Sequence, residues 1–86
     1  GRKLATDFLK KTVGEKISLL ETIRDREGAT EFVNEITLGL HELVKEGRGD
    51  YGKLAQGLRA SELARARLKA NGNVILQLTN MVISFG

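Results

Sequence analysis

The chain contains no cysteine, no proline and no tryptophan, and it has a single histidine. Without cysteine there is no disulfide framework, no thiolate nucleophile and no thiolate metal site, and the redox compartment is left open, with an intracellular location as the default expectation. Average usage would place about four prolines in a chain of 86 residues, so their absence, set beside ten glycines, suits helices whose ends are marked by glycine. The four aromatic residues, Phe8, Phe32, Tyr51 and Phe85, are too few for a base-stacking single-strand platform. Long apolar runs are also missing. Val74 to Phe85 spans 12 residues, four of them polar, against the roughly 20 a bilayer requires. Near the start, Asp7, Lys10 and Lys11 interrupt the apolar residues in a way a secretory leader would not.

Charge is absent from one region only. Residues 70–86 carry none, in a chain where 29% of residues are Asp, Glu, Lys or Arg. Wound as a helix, Asn73, Gln77, Asn80 and Ser84 fall within an arc of roughly 60°, and apolar side chains occupy most of the remainder. Such a helix needs neighbours nearly all round. Val74, Leu78, Met81, Val82 and Phe85 are therefore expected to meet a partner protein, a second copy or a missing part of a longer parent chain. The β-branched content of the same segment leaves a strand as the alternative, although no second strand candidate exists to pair with it.

The rest of the chain is helical in period. Leu9, Val13, Ile17 and Leu20 form one stripe, whereas Leu4 and Phe8 lie on another arc, which a bend near Gly14 would reconcile. Gly28 is expected to end this first segment and Thr30 to cap the second, whose Phe32, Val33, Ile36, Leu40, Leu43 and Val44 make a clean apolar face. Beside that face runs an acidic row, Glu31, Glu35, Glu42 and Glu46. Gly47 to Asp50 ends the second helix, and Asp50 can cap a third that contains Tyr51, Leu54 and Leu58. Continued to Ala70, that helix would place Arg65 on the apolar stripe, so a break is expected, with Ser61 capping a short helix from Glu62. Asn71, Gly72 and Asn73 then separate it from the last segment. The expected fold is a single all-α domain over residues 1–86, a bundle of four to five helices, excised from a longer protein.

Chemistry finds little purchase. Gly47, Gly49 and Gly52 match a dinucleotide-binding string, but that turn belongs between a strand and a helix of a larger α/β sheet. Arg48, Gly49 and Asp50 spell an adhesion tripeptide in an exposed loop, a match short enough to arise by chance. His41 has no second histidine to share a metal, and Ser18, Ser61 and Ser84 have no base placed beside them. No catalytic residues, cofactor, metal or small-molecule substrate are expected, and the chain is expected not to be an enzyme.

The segment from Lys53 to Leu68 resembles a helix-turn-helix. Leu54, Ala55 and Leu58 are similar to the core of a first helix, Ser61 to the start of a recognition helix and Leu68 to its buried end. It departs from the pattern at Arg59, where glycine is usual, and at Arg65, where an apolar residue is. The resemblance implies duplex DNA as an alternative partner, contacted through Arg59, Arg65, Arg67 and Lys69. Charge is distributed in the same sense: residues 47–86 hold six basic residues against two acidic, residues 1–46 eight against nine, within a total of +3. Those same cations could instead face the acidic row.

Overall fold

The computed structural model describes residues 2–23, 25–70 and 72–85. They form α1 (Arg2–Lys10), α2 (Val13–Leu20), α3 (Arg26–Lys45), α4 (Tyr51–Lys69) and α5 (Val74–Phe85). The all-α bundle is thus the fold, and the strand alternative for residues 74–85 is replaced by α5. The number of helices matches expectation, but three of the boundaries do not.

The first break falls at Lys11 and Thr12, ahead of the bend expected near Gly14. Thr12 starts α2 with a capping box: the Glu15 amide donates to Thr12 Oγ1 at 3.2 Å, and the Thr12 amide donates to Glu15 Oε1 at 2.8 Å. These hydrogen bonds, from the Thr12 backbone first and its side chain second, hold the Glu15 carboxyl below its ordinary value. The break resets the helical register. Ala5 and Phe8 bury α1, Lys16 and Leu20 bury α2, and Val13 and Ile17 of the expected stripe stay exposed.

α3 begins earlier than expected because Asp25, rather than Thr30, is its cap, with Oδ1 accepting from the Gly28 amide at 2.8 Å. Gly28 therefore sits in the first turn of α3 and ends nothing. The expected apolar face is present: Val33, Ile36, Leu40 and Leu43 are buried, and Phe32 and Val44 pack against them. After α3 the chain turns through Gly47 and Gly49, both at positive φ (66° and 81°), a backbone that side chains other than glycine rarely adopt. Asp50 then caps α4, as expected, through the Lys53 amide.

α4 runs unbroken for 19 residues. Ser61 is interior to it and fully buried, and its hydroxyl donates to the Leu58 carbonyl at 3.1 Å, so the separate helix from Glu62 is not formed. The buried stripe is Leu54, Gly57, Ser61, Ala64 and Leu68, at spacings of three and four, and Arg65 lies beside it in solvent. Its small residues let neighbouring helices come close. A Cβ on Gly57 would stand 3.1 Å from Phe85 Cε2 and 3.3 Å from Leu40 Cδ1, so α3, α4 and α5 meet at this point.

Side-chain ties fix the helix directions. Arg26 at the start of α3 donates to the Leu68 carbonyl at the end of α4 (2.6 Å), and Gln56 early in α4 donates to the Ser84 carbonyl late in α5 (2.8 Å). Arg2, opening α1, pairs with Glu46 just past α3. Consecutive long helices are therefore antiparallel, with α1 on α3, α3 on α4, α4 on α5, and the short α2 turned onto α5. Asn73 caps α5, its Oδ1 accepting from the Leu76 amide at 2.9 Å; Asn71, expected in the same connection, lies outside the described residues. The radius of gyration, 11.8 Å, matches the roughly 12 Å of a compact domain of this length, so the five helices share one core.

Candidate functional site

The residues expected to meet a partner are inside the bundle. Leu78, Met81, Val82 and Phe85 are buried in the core formed with α1, α3 and α4, and Val74 packs against its edge. The correction has a simple origin: the apolar arc of α5 is wide enough for two surfaces, and α4 and α2 cover the half containing these five residues. Gln77 shares that inner half, where its Oε1 has no hydrogen-bond partner among the described residues.

The outer half of α5 is apolar as well. Ile75, Leu76 and Ile83 are 60%, 53% and 62% exposed, and with Thr79 they span roughly 100° of the helix circumference without a single charge. Leu63 of α4, 51% exposed, lines a shallow cleft at the α4–α5 seam with the apolar Ile83, Ala60 and Met81 and the polar Arg67, Gln77, Asn80 and Ser84. Sequence reasoning recognised the width of the arc but not which part of it the bundle itself covers. Leu63 was missed because it stands off the stripe of its own helix.

The cations of the DNA alternative are all exposed on α4, but they do not share a surface. Arg65 and Lys69 border the α3–α4 cleft with Arg26 and His41, whereas Arg67 borders the α4–α5 cleft, and Arg59, about 80° from both Arg67 and Lys69, lines neither. The turn that the helix-turn-helix pattern requires is replaced by continuous helix. Nor do these arginines face the acidic row. Among the described residues, the row's ion pairs are those of Glu46 with Arg2 and Arg48. His41 Nε2 lies 3.6 Å from Glu62 Oε1 on the surface, and no three His, Asp or Glu side chains among the described residues are grouped as metal ligands.

Lys16 is the residue whose placement sequence reasoning did not foresee. Only 4% exposed, it sets its ammonium over the rings of Phe8 and Phe85, 5.3 Å from each centroid. No signal short of the capping box could have found it, since the uninterrupted stripe pointed Ile17 inward in its place. Burial lowers the Lys16 pKa from the usual 10.5, because the charged form loses its hydration. In the window below 10.5 the unfolded chain then binds the proton more readily than the folded one, so the contribution of Lys16 to stability rises with pH. In denaturant titrations between neutral pH and pH 10.5, a Lys16→Met chain should gain on the wild type most at neutral pH, and the difference should shift in favour of the wild type as pH rises. A difference independent of pH would mean that Lys16 keeps its ordinary affinity for the proton.

No protein-family model matches the chain, and neither a curated protein nor a solved structure matches it significantly. No helix among the described residues is long and apolar enough to cross a membrane.

Proposed function

We propose that the chain is a non-catalytic protein-association module that works through the outer face of α5. One observation carries this reading. The uncharged helix satisfies the core with one half of its circumference and still presents Ile75, Leu76 and Ile83 to solvent, with Leu63 beside them. A contiguous apolar surface of this kind on a small domain marks a place where another surface packs. The occupant we infer is a second copy of the chain. The α5 outer face itself carries no charge, so it can meet its own copy about a two-fold axis with Arg67, which lines the cleft beside Leu63, left at the rim, whereas the basic surfaces of a chain with net charge +3 would repel one another. DNA binding is not proposed, because the turn is absent and Arg67 borders a different cleft from Arg65 and Lys69.

Sedimentation velocity over a concentration series tests this directly. The wild type should show a mass that rises with concentration, and a Leu76→Glu, Ile83→Glu chain should stay monomeric with the same helical circular dichroism. Each such side chain contributes roughly 1.5–3 kcal/mol when fully buried, so two charged replacements are enough to remove a weak dimer. A wild type that stays monomeric at several hundred micromolar, or a double variant that associates equally well, would overturn the proposal.

A further inference from the structure

A groove of about 630 Å³ opens where the α1–α2 junction, the α3–α4 loop and the last turn of α5 come together. None of the exposed apolar residues of the α5 outer face lines it. Its volume falls in the range of small-molecule sites, roughly 300–1,000 Å³. The floor is apolar, formed by Leu9, Val13, Leu43, Leu54 and Phe85. Five cations surround it, Lys10, Lys11, Lys16, Arg48 and Lys53, against one lining carboxylate, Asp50, which is already engaged as the cap of α4. The local balance of +4 exceeds the +3 of the entire chain, so positive charge is concentrated here.

Two of the lining side chains distinguish this groove from an ordinary basic surface. Arg48 has a carboxylate partner, Glu46 at 3.7 Å. Lys16 has none: almost fully buried, it rests on the Phe8 and Phe85 rings, and no carboxylate or hydrogen-bond acceptor among the described residues pairs with it. Its stem is buried on the rings while the ammonium keeps solvent contact at the groove, where an arriving anion can pair with it.

We infer that the groove binds an amphiphilic monoanion of the alkyl carboxylate class, its chain on the Leu9, Val13, Leu54 and Phe85 floor and its carboxylate on Lys16. The apolar floor asks for a hydrocarbon chain, which a free inorganic anion lacks. One unpaired ammonium set against the apolar floor asks for one charged head group. The volume suits a small ligand better than the footprint of a peptide helix.

Calorimetry and amide NMR with dodecanoate, kept below its micelle concentration, test the inference on the full chain. Saturable binding of one dodecanoate per chain is expected, with shifts at residues 12–17, Gly49, Lys53 and Phe85. Dodecanol, which keeps the chain and loses the charge, should bind at least about tenfold more weakly, and acetate should not bind. Lys16→Met should keep the helical spectrum and lose about tenfold in affinity for dodecanoate, the loss of one charge-assisted contact. Val13→Asp, a change on the exposed floor that leaves the core alone, should likewise weaken binding. Absence of saturable binding, unchanged affinity in both variants, or shifts centred on Ile75, Leu76 and Ile83 would overturn the inference. Stronger binding of an acidic amphipathic peptide at the groove would replace the small ligand by a protein partner.

Discussion

A Leu78→Asp chain is expected to be unfolded at neutral pH. Leu78 is fully buried on the inner half of α5, within the core shared with α3 and α4. Removing its side chain forfeits the burial of a leucine together with a cavity term, about 2.7–5 kcal/mol for leucine truncated to alanine. The aspartate adds the cost of an ionised group in an apolar site. At roughly 0.05–0.15 kcal/mol per residue, a chain of 86 residues has only about 4–13 kcal/mol of stability to lose. Ile83→Asp, just over half a turn past Met81 and facing solvent, is the control. It should keep its helical circular dichroism and lose only association. The two substitutions place the same charge on opposite halves of one helix, so their contrast reads out which half is core. A folded, monomeric Leu78→Asp chain would show that the inner half is an interface after all.

The parts of the fold visible in the sequence are those carried by large apolar side chains and strong caps. The α3 stripe from Phe32 to Val44 fixes that helix because six large residues repeat at helical spacing, and Asp50 and Asn73 cap the helices that follow them. Where packing depends on what is small, the signal fades. The inner face of α4 is built on Gly57, Ala60, Ser61 and Ala64, which carry little hydropathy, so a stripe drawn through Leu54 and Leu58 alone runs into Arg65 and suggests a break. A seam of small residues and a helix break leave nearly the same trace in a sequence; only the proximity of Phe85 and Leu40 to Gly57 separates them.

Cap strength explains the other displaced boundaries. Thr12 and Glu15 stand at the capping-box spacing, a readable pattern that outweighs the continuous stripe from Leu9 to Leu20 once both of its hydrogen bonds form. Asp25 likewise outcompetes Thr30, and α3 gains more than a turn at its start. The candidate surfaces inherit these displacements. With the register reset after Thr12, Lys16 turns inward and Val13 outward, and the basic groove exists only because of that rotation. The α5 outer face, by contrast, was implicit in the composition of residues 70–86, since apolar groups occupy most of that uncharged helix outside the narrow arc of Asn73, Gln77, Asn80 and Ser84, and any other side left uncovered exposes them.

Phe8→Ala is expected to be the most damaging neutral substitution in the first half of the chain. Phe8 is fully buried and holds three elements at once: its ring meets Phe32 of α3 edge-on at 5.6 Å and Phe85 of α5 edge-on at 5.1 Å, and it lies under the Lys16 ammonium of α2. Truncation of a buried phenylalanine costs about 3–5 kcal/mol, and edge-to-face pairs add roughly 0.5–1.5 kcal/mol beyond area. Against a total of about 4–13 kcal/mol, this loss takes the chain to the margin of folding. Phe8→Leu, which keeps most of the volume but no ring, should cost much less and isolate the aromatic contribution. Denaturant titration of the two variants beside a Phe85→Leu chain and the corresponding double variant gives the coupling between the rings. Coupling near zero would mean that Phe8 anchors α1 by volume alone, whereas a clear positive coupling places the Phe8, Phe85 and Lys16 contact at the junction that joins α1 and α2 to the helices behind them.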